Sequence, residues 1–302
     1  MKYVTVFFTI VGLFSAFSAQ AAVTPSDVYS RVKAIESVVK KMSANKKERI
    51  ESIKLIDAKP LHVYAIATAL NEKVIMLNQL NNKSQHLRPN FPNKDITPAQ
   101  VLELMLAIEH NLKMFDINAD FKVQLAKNKR PKDVLRVLVR SNLLLDSLLD
   151  RKLLPSSPFG VVKQIEQLLT KQVSKQYPAL VKQQYALYDD VKPNDVFVNA
   201  ENMFNALMSA TSLKYNIDYP GRPYYSPYDN KHIKPIHVFT ITVMNRVLLQ
   251  DLMRRQDHAY DVAYNNQSQR MIKPAHVYQK YEKALLLMRL YLLNQKLTLC
   301  TS

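Results

Sequence analysis

The chain is predicted to be all-α, an irregular helical bundle or α-solenoid of about eight helices, each opened by the signature Pro-x-x-Val. Three observations support this. The signature recurs eight times at intervals of 27 to 42 residues, apolar residues downstream of it keep helical spacing, and only three glycines occur in 302 residues. Recurrence at such a period marks a repeated helical unit. Scarce glycine argues against β structure, whose tight turns need glycine or asparagine at positive φ.

The first element is a leader. Lys2 precedes an apolar run from Val4 to Phe17, and Ala19-Gln20-Ala21 forms a small-x-small cleavage site. That arrangement predicts a signal peptide over residues 1–21. The run is too short for the roughly 20 apolar residues a transmembrane helix needs. The mature chain, 22–302, is thus expected to be exported to the periplasm or medium without a transmembrane segment.

The helix starts follow as Pro25-Val28, Pro60-Val63, Pro98-Val101, Pro131-Val134, Pro158-Val161, Pro193-Val196, Pro235-Val238 and Pro274-Val277. Proline suits the first helical position, where its missing N–H would have no intrahelical partner. The third position then carries Asp27, His62, Gln100, Asp133, Asp195, His237 or His276, side chains able to accept from orphan backbone donors. Apolar Val23, Ile96, Val191, Ile233 and Ile272 lie two residues before the proline, where each can staple onto the valine. Lys59, Lys192, Lys234 and Lys273 at the N-cap depart from the preferred Ser, Thr, Asp or Asn.

Behind the starts run core stripes. Val28, Val32, Ile35, Val39 and Met42 repeat as i, i+4, i+7, i+11, i+14, and so do Val63 to Leu77, Val101 to Phe115 and Val196 to Ala210. Units four, seven and eight are apolar over a wider arc, which predicts more central helices. Unit five is weakest, because Gln172 and Lys175 interrupt its stripe. Linkers at 81–94 and 215–231 are long for helical connections and are expected to be functional or mobile. A subdivision into 22–190 and 191–302 is compatible with this spacing.

Chemistry is first narrowed by absence. Without clustered glycines there is no P-loop or dinucleotide fingerprint, and His-Glu-x-x-His and Gly-x-Ser-x-Gly are missing. No catalytic residue, metal or cofactor is therefore assigned. The lone Cys300 can form no internal disulfide.

Charge gives the positive clue. The chain carries a formal +17, from which loss of Lys2 removes one. On a cytosolic protein this would suggest nucleic acid, but export redirects it to an acidic protein or an anionic envelope component. The densest basic stretches are Lys40-Lys41, Lys46 to Arg49 and Lys127 to Lys132. A tyrosine-rich linker offers contact area at low entropic cost, with Tyr219, Arg222, Tyr224, Tyr225 and Tyr228 as candidate partner-binding residues beside His237 and His276. The expected function is an exported binding or scaffold protein of the cell envelope. Alternatives are a small-molecule or ion-sensing helical module and an envelope enzyme acting on cell-wall or polysaccharide material.

Overall fold

The computed structural model describes residues 22–43, 58–83, 85–149, 152–217, 225, 233–253 and 272–301, with side chains described to 295. The leader, the basic stretch at 46–49 and Tyr219, Arg222, Tyr224 and Tyr228 lie outside the described residues, as does the side chain of Cys300. Among the described residues there are nine helices and no strand: α1 (Pro25–Met42), α2 (Pro60–Leu80), α3 (Pro98–Phe115), α4 (Pro131–Leu149), α5 (Ser156–Val173), the short α6 (Pro178–Lys182), α7 (Pro193–Tyr215), α8 (Pro235–Met253) and α9 (Pro274–Thr301). None of them is long and apolar enough to cross a membrane.

Seven of the eight signatures put proline at the first helical residue. In all seven the third-position side chain turns back and accepts the N-cap backbone N–H. Asp27 takes that of Thr24 at 2.8 Å, His62 Nδ1 that of Lys59 at 3.2 Å, and Gln100 that of Thr97 at 2.7 Å. Asp133 and Asp195 serve Arg130 and Lys192, while His237 and His276 serve Lys234 and Lys273 through Nδ1. This accounts for lysine at the N-cap. The cap uses only that residue's backbone amide, so an ammonium group with nothing to accept with does no harm there.

Unit five departs from the pattern. α5 begins at Ser156, so Pro158 is its third residue, still inside the first turn where no N–H partner is required. Its apolar stripe is not interrupted either, since Val162, Ile165, Leu169 and Val173 are all fully buried one register over. A ninth match, Pro178-Val181, opens α6.

Positive φ falls on Asn82, Asn128 and Asn216, the last as the left-handed C-cap of α7. Asparagine thus does at these turns what glycine does elsewhere.

The long helices form two rings. α1 and α2 each pack on both α3 and α4, while α5 and α7 each pack on both α8 and α9. The order is the same in each half, first and second helices against third and fourth. Residues 190 and 191 fall in the connection from α6 to α7, within the second ring. The rings meet where α2 packs on α8, with a light touch from α4, and one apolar core runs through both. This is a bundle of the kind long stripes favour.

Position in the rings decides burial. α2 and α8, at the seam, are covered nearly all round, polar residues included. α9 instead buries a stripe of Val277, Tyr281, Ala284, Leu287, Met288 and Tyr291, so unit eight is not central and unit two is. The staples form as expected, with Ile96 and Ile233 buried and Val23, Val191 and Ile272 packed against the core.

Candidate functional site

Seam helices bury charge. Ile66, Leu70, Lys73 and Leu77 share one face of α2, and Lys73 is fully buried with them. Its ammonium donates to Asp146 of α4 at 2.5 Å and to the Asn142 carbonyl at 3.4 Å. Burial pushes Lys73 below the usual lysine range, against the opposing pull of Asp146. The other Asp146 oxygen accepts the Tyr225 hydroxyl at 2.5 Å, and the Lys73 ammonium lies 5.3 Å from the Tyr225 ring centre. Tyr225 is itself fully buried. A lysine, a carboxylate and a phenol would suit proton transfer chemically, but with side-chain exposures of 0% and 6% for the ion pair they are sealed from solvent. They act as a polar rivet between the first ring and the segment joining α7 to α8.

A second cluster crosses the ring boundary. Glu72 of α2 accepts from Arg88 Nε at 3.1 Å and from Nη2 at 3.1 Å, a two-pronged clasp. Arg246 of α8 stands 3.8 Å from Glu72 and donates to Gln164 of α5 at 2.9 Å. One carboxylate thereby joins a linker, the first ring and the second ring. Glu72, Arg88 and Arg246 line a recess with Tyr64, Thr68, Asn71, Phe91 and Gln250. Its volume is about 40 Å³, far below the roughly 300 Å³ at which small-molecule pockets begin. Burial raises the Tyr64 hydroxyl above the usual tyrosine range.

The linker above the recess is packed. Asn111 of α3 accepts the Leu87 N–H at 2.8 Å and donates to the Leu87 carbonyl and to Asn71. Phe91 meets Tyr64 edge-on at 5.9 Å. The 81–94 linker is thus tethered through Leu87, Arg88 and Phe91, while Asn81, Asn82, Lys83, Gln85, Asn90, Asn93 and Lys94 are exposed.

Carboxylates elsewhere are also committed. Glu36 faces Lys33 and Arg140, Glu109 faces Arg31, Glu166 faces Lys280 and Lys283, and Asp251 holds Lys214 and the Tyr215 hydroxyl. With Glu72 and Asp146, six carboxylates at least half inside the fold hold cations from neighbouring helices. Asp27, Asp133 and Asp195 are spent on caps, and two bonds from Thr24 keep Asp27 below the usual carboxylate range. These six interior carboxylates meet nine cations and the cap aspartates stay at the surface, so the basic excess of the chain comes from its composition.

The surface strap between α3 and α4, residues 116–130, concentrates it. Lys113, Lys122, Lys127, Lys129, Arg130 and Lys132 stand in or beside this strap against Asp116, Asp120 and Asp133, and Lys122 pairs with Asp120 at 3.5 Å. Ser30 Oγ accepts the Ala126 N–H at 2.9 Å and Ser26 Oγ the Lys129 N–H at 3.0 Å, so the strap is tied along α1. Lys113 sits over the Phe121 ring and Lys129 over Tyr29. Between these tethers Ile117 and Leu125 are each 88% exposed.

Of the sequence-predicted site residues, then, Tyr225 is inside the protein and His237 and His276 close their own helix starts. Among the described residues no three His, Cys, Asp or Glu side chains come together as a metal site. The interior clusters were missed, although Lys73 and Glu72 each interrupt an apolar face of α2, which was the available signal. No protein-family model matches the chain, and neither a curated protein nor a solved structure is significantly similar to it, so its residues speak only through their own chemistry.

Proposed function

We propose that the protein is an exported, non-enzymatic binding or scaffold protein of the cell envelope that engages an anionic component through its basic surface. One observation carries this reading. Lys122, Lys127, Lys129, Arg130 and Lys132 follow one another within residues 122–132 without an acidic residue among them, on a strap that lies at the surface. A surface of one sign attracts partners of the other and speeds their encounter.

Two measurements test it. Protein recovered from the periplasm or medium should have an intact mass short of residues 1–21, and full-length protein held in the membrane would refute export. The mature chain, immobilised and exposed to envelope extract, should retain anionic material that is released as salt rises from about 50 to 500 mM, because screening shortens the reach of surface charge. Retention that resists salt, or no retention of anionic material, refutes the electrostatic reading.

A further inference from the structure

We infer that the 116–130 strap is a membrane-docking face that seats on an anionic lipid surface, a proposal that rests on the reading above and names the anionic component. The strap combines two properties that an anionic lipid interface uses together. It is basic, and it holds aliphatic side chains out in water. Ile117 and Leu125 are 88% exposed and Val123 37% exposed, while Lys122 between them is 84% exposed. An acidic polysaccharide or nucleic acid would be served by the lysines alone and has no use for isoleucine and leucine.

Ser26 and Ser30 pin the strap on α1, and Phe121 and Ala119 pack against the core, while Ile117 and Leu125 point to solvent. Isolated aliphatic residues on a surface are ordinary. Leu125, with Val123 beside it, lies in residues 122–132, where Lys122, Lys127, Lys129, Arg130 and Lys132 stand without an acidic residue, and Ile117 lies just before that run. Such a combination is found at interfacial anchors, where apolar side chains enter the headgroup boundary and Lys or Arg meets anionic lipid. α3, from whose end the strap departs, packs on α2 and α1, and its Leu106 is 46% exposed.

The chain contains no tryptophan, which makes the test direct. In Leu125→Trp the single indole reports its surroundings, and the site is so exposed that folding is undisturbed. Vesicles of phosphatidylcholine with about one-third phosphatidylglycerol should blue-shift its emission, and pure phosphatidylcholine vesicles should not. In co-sedimentation, Ile117→Ser with Leu125→Ser should weaken binding to the anionic vesicles by about tenfold or more at an unchanged melting temperature. Lys127→Glu with Arg130→Glu should weaken it further at low salt. If wild type sediments with anionic vesicles but the indole emission stays put and the serine pair binds normally, the strap is not the docking face. If wild type ignores both vesicles yet is retained by an immobilised acidic polysaccharide, the membrane inference fails while the anionic-partner reading survives. Retention by neither overturns both.

Discussion

Asp146→Leu should be among the most damaging single substitutions in this protein, and the reason is what it strands. Among the described residues the carboxylate is the one charge paired with the Lys73 ammonium in a fully buried site, and it also accepts the Tyr225 hydroxyl. Removing one member of a buried pair costs roughly 3–5 kcal/mol, because the other stays desolvated without its partner. Losing the acceptor of a buried hydroxyl adds about 1–3 kcal/mol. Lys73 can relieve part of this by giving up its proton, a route already favoured by burial. About 4 kcal/mol is therefore expected, or a fall in melting temperature on the order of 10 °C for a chain of this size. Urea unfolding followed by helical dichroism measures it. The companion Lys73→Met with Asp146→Leu should recover most of the loss, since apolar replacement of a whole buried pair is often neutral or better. A single substitution costing under about 1 kcal/mol, or a double variant as weak as the single, would refute the claim that these groups form a desolvated pair.

Two further outcomes follow from the caps and the linker. Burial first, then the charge of Lys59, pushes His62 down to about 4 from an ordinary 6.5; its contribution is therefore complete above pH 6.5 and declines as pH falls towards 4, since over that window the unfolded chain takes up a proton that the folded chain refuses. The decline amounts to about 3 kcal/mol, and His62→Gln, which should cap as Gln100 does, ought to remove that part of the pH profile in urea melts; an unaltered profile would show that His62 is not the group responsible. Asn111→Ala deletes the three bonds that clasp Leu87 and Asn71, so it should cost about 2–4 kcal/mol and accelerate amide exchange at Leu87, whereas unchanged exchange there would mean that the linker is held by other means.

How much of this was legible in the chain differs by element. Helix starts were readable because each is a local device: proline, third-position acceptor and valine lie within four residues, and the physics that joins them never leaves the first turn. Core stripes were readable for the same reason, and the valines and their i+4 and i+7 partners are buried where periodicity put them. Unit five was misplaced by two residues because Pro158 satisfies the signature without being the first residue of its helix. What could not be read is pairing between helices. Lys73 finds Asp146 73 positions away and Arg88 finds Glu72 across a linker, and a lysine written between Glu72 and Val74 looks like any solvated residue until its partner is known. The centrality of α2 was hidden behind Asn71, Glu72 and Lys73, just as the breadth of the apolar arc on α9 overstated its depth. Tyr225 read as a surface aromatic because its linker looked like a contact loop; its hydroxyl's acceptor sits in the other ring.

The way these helices are capped also has a bearing on how the protein could change over time. In most helices one side chain at the N-cap both holds the helix and shows itself to solvent, so altering the surface there weakens the fold. Here the holding is done from the third position, by Asp195 for Lys192, His62 for Lys59 and His276 for Lys273. All three lysines are exposed. Their identity can drift from basic to neutral to acidic while the amide beneath remains clasped, with only the few tenths of a kcal/mol by which a helix start prefers a negative neighbour at stake. Surface charge at these points is a quantity that selection can tune independently of stability, and a lineage facing a differently charged partner could rewrite it one residue at a time.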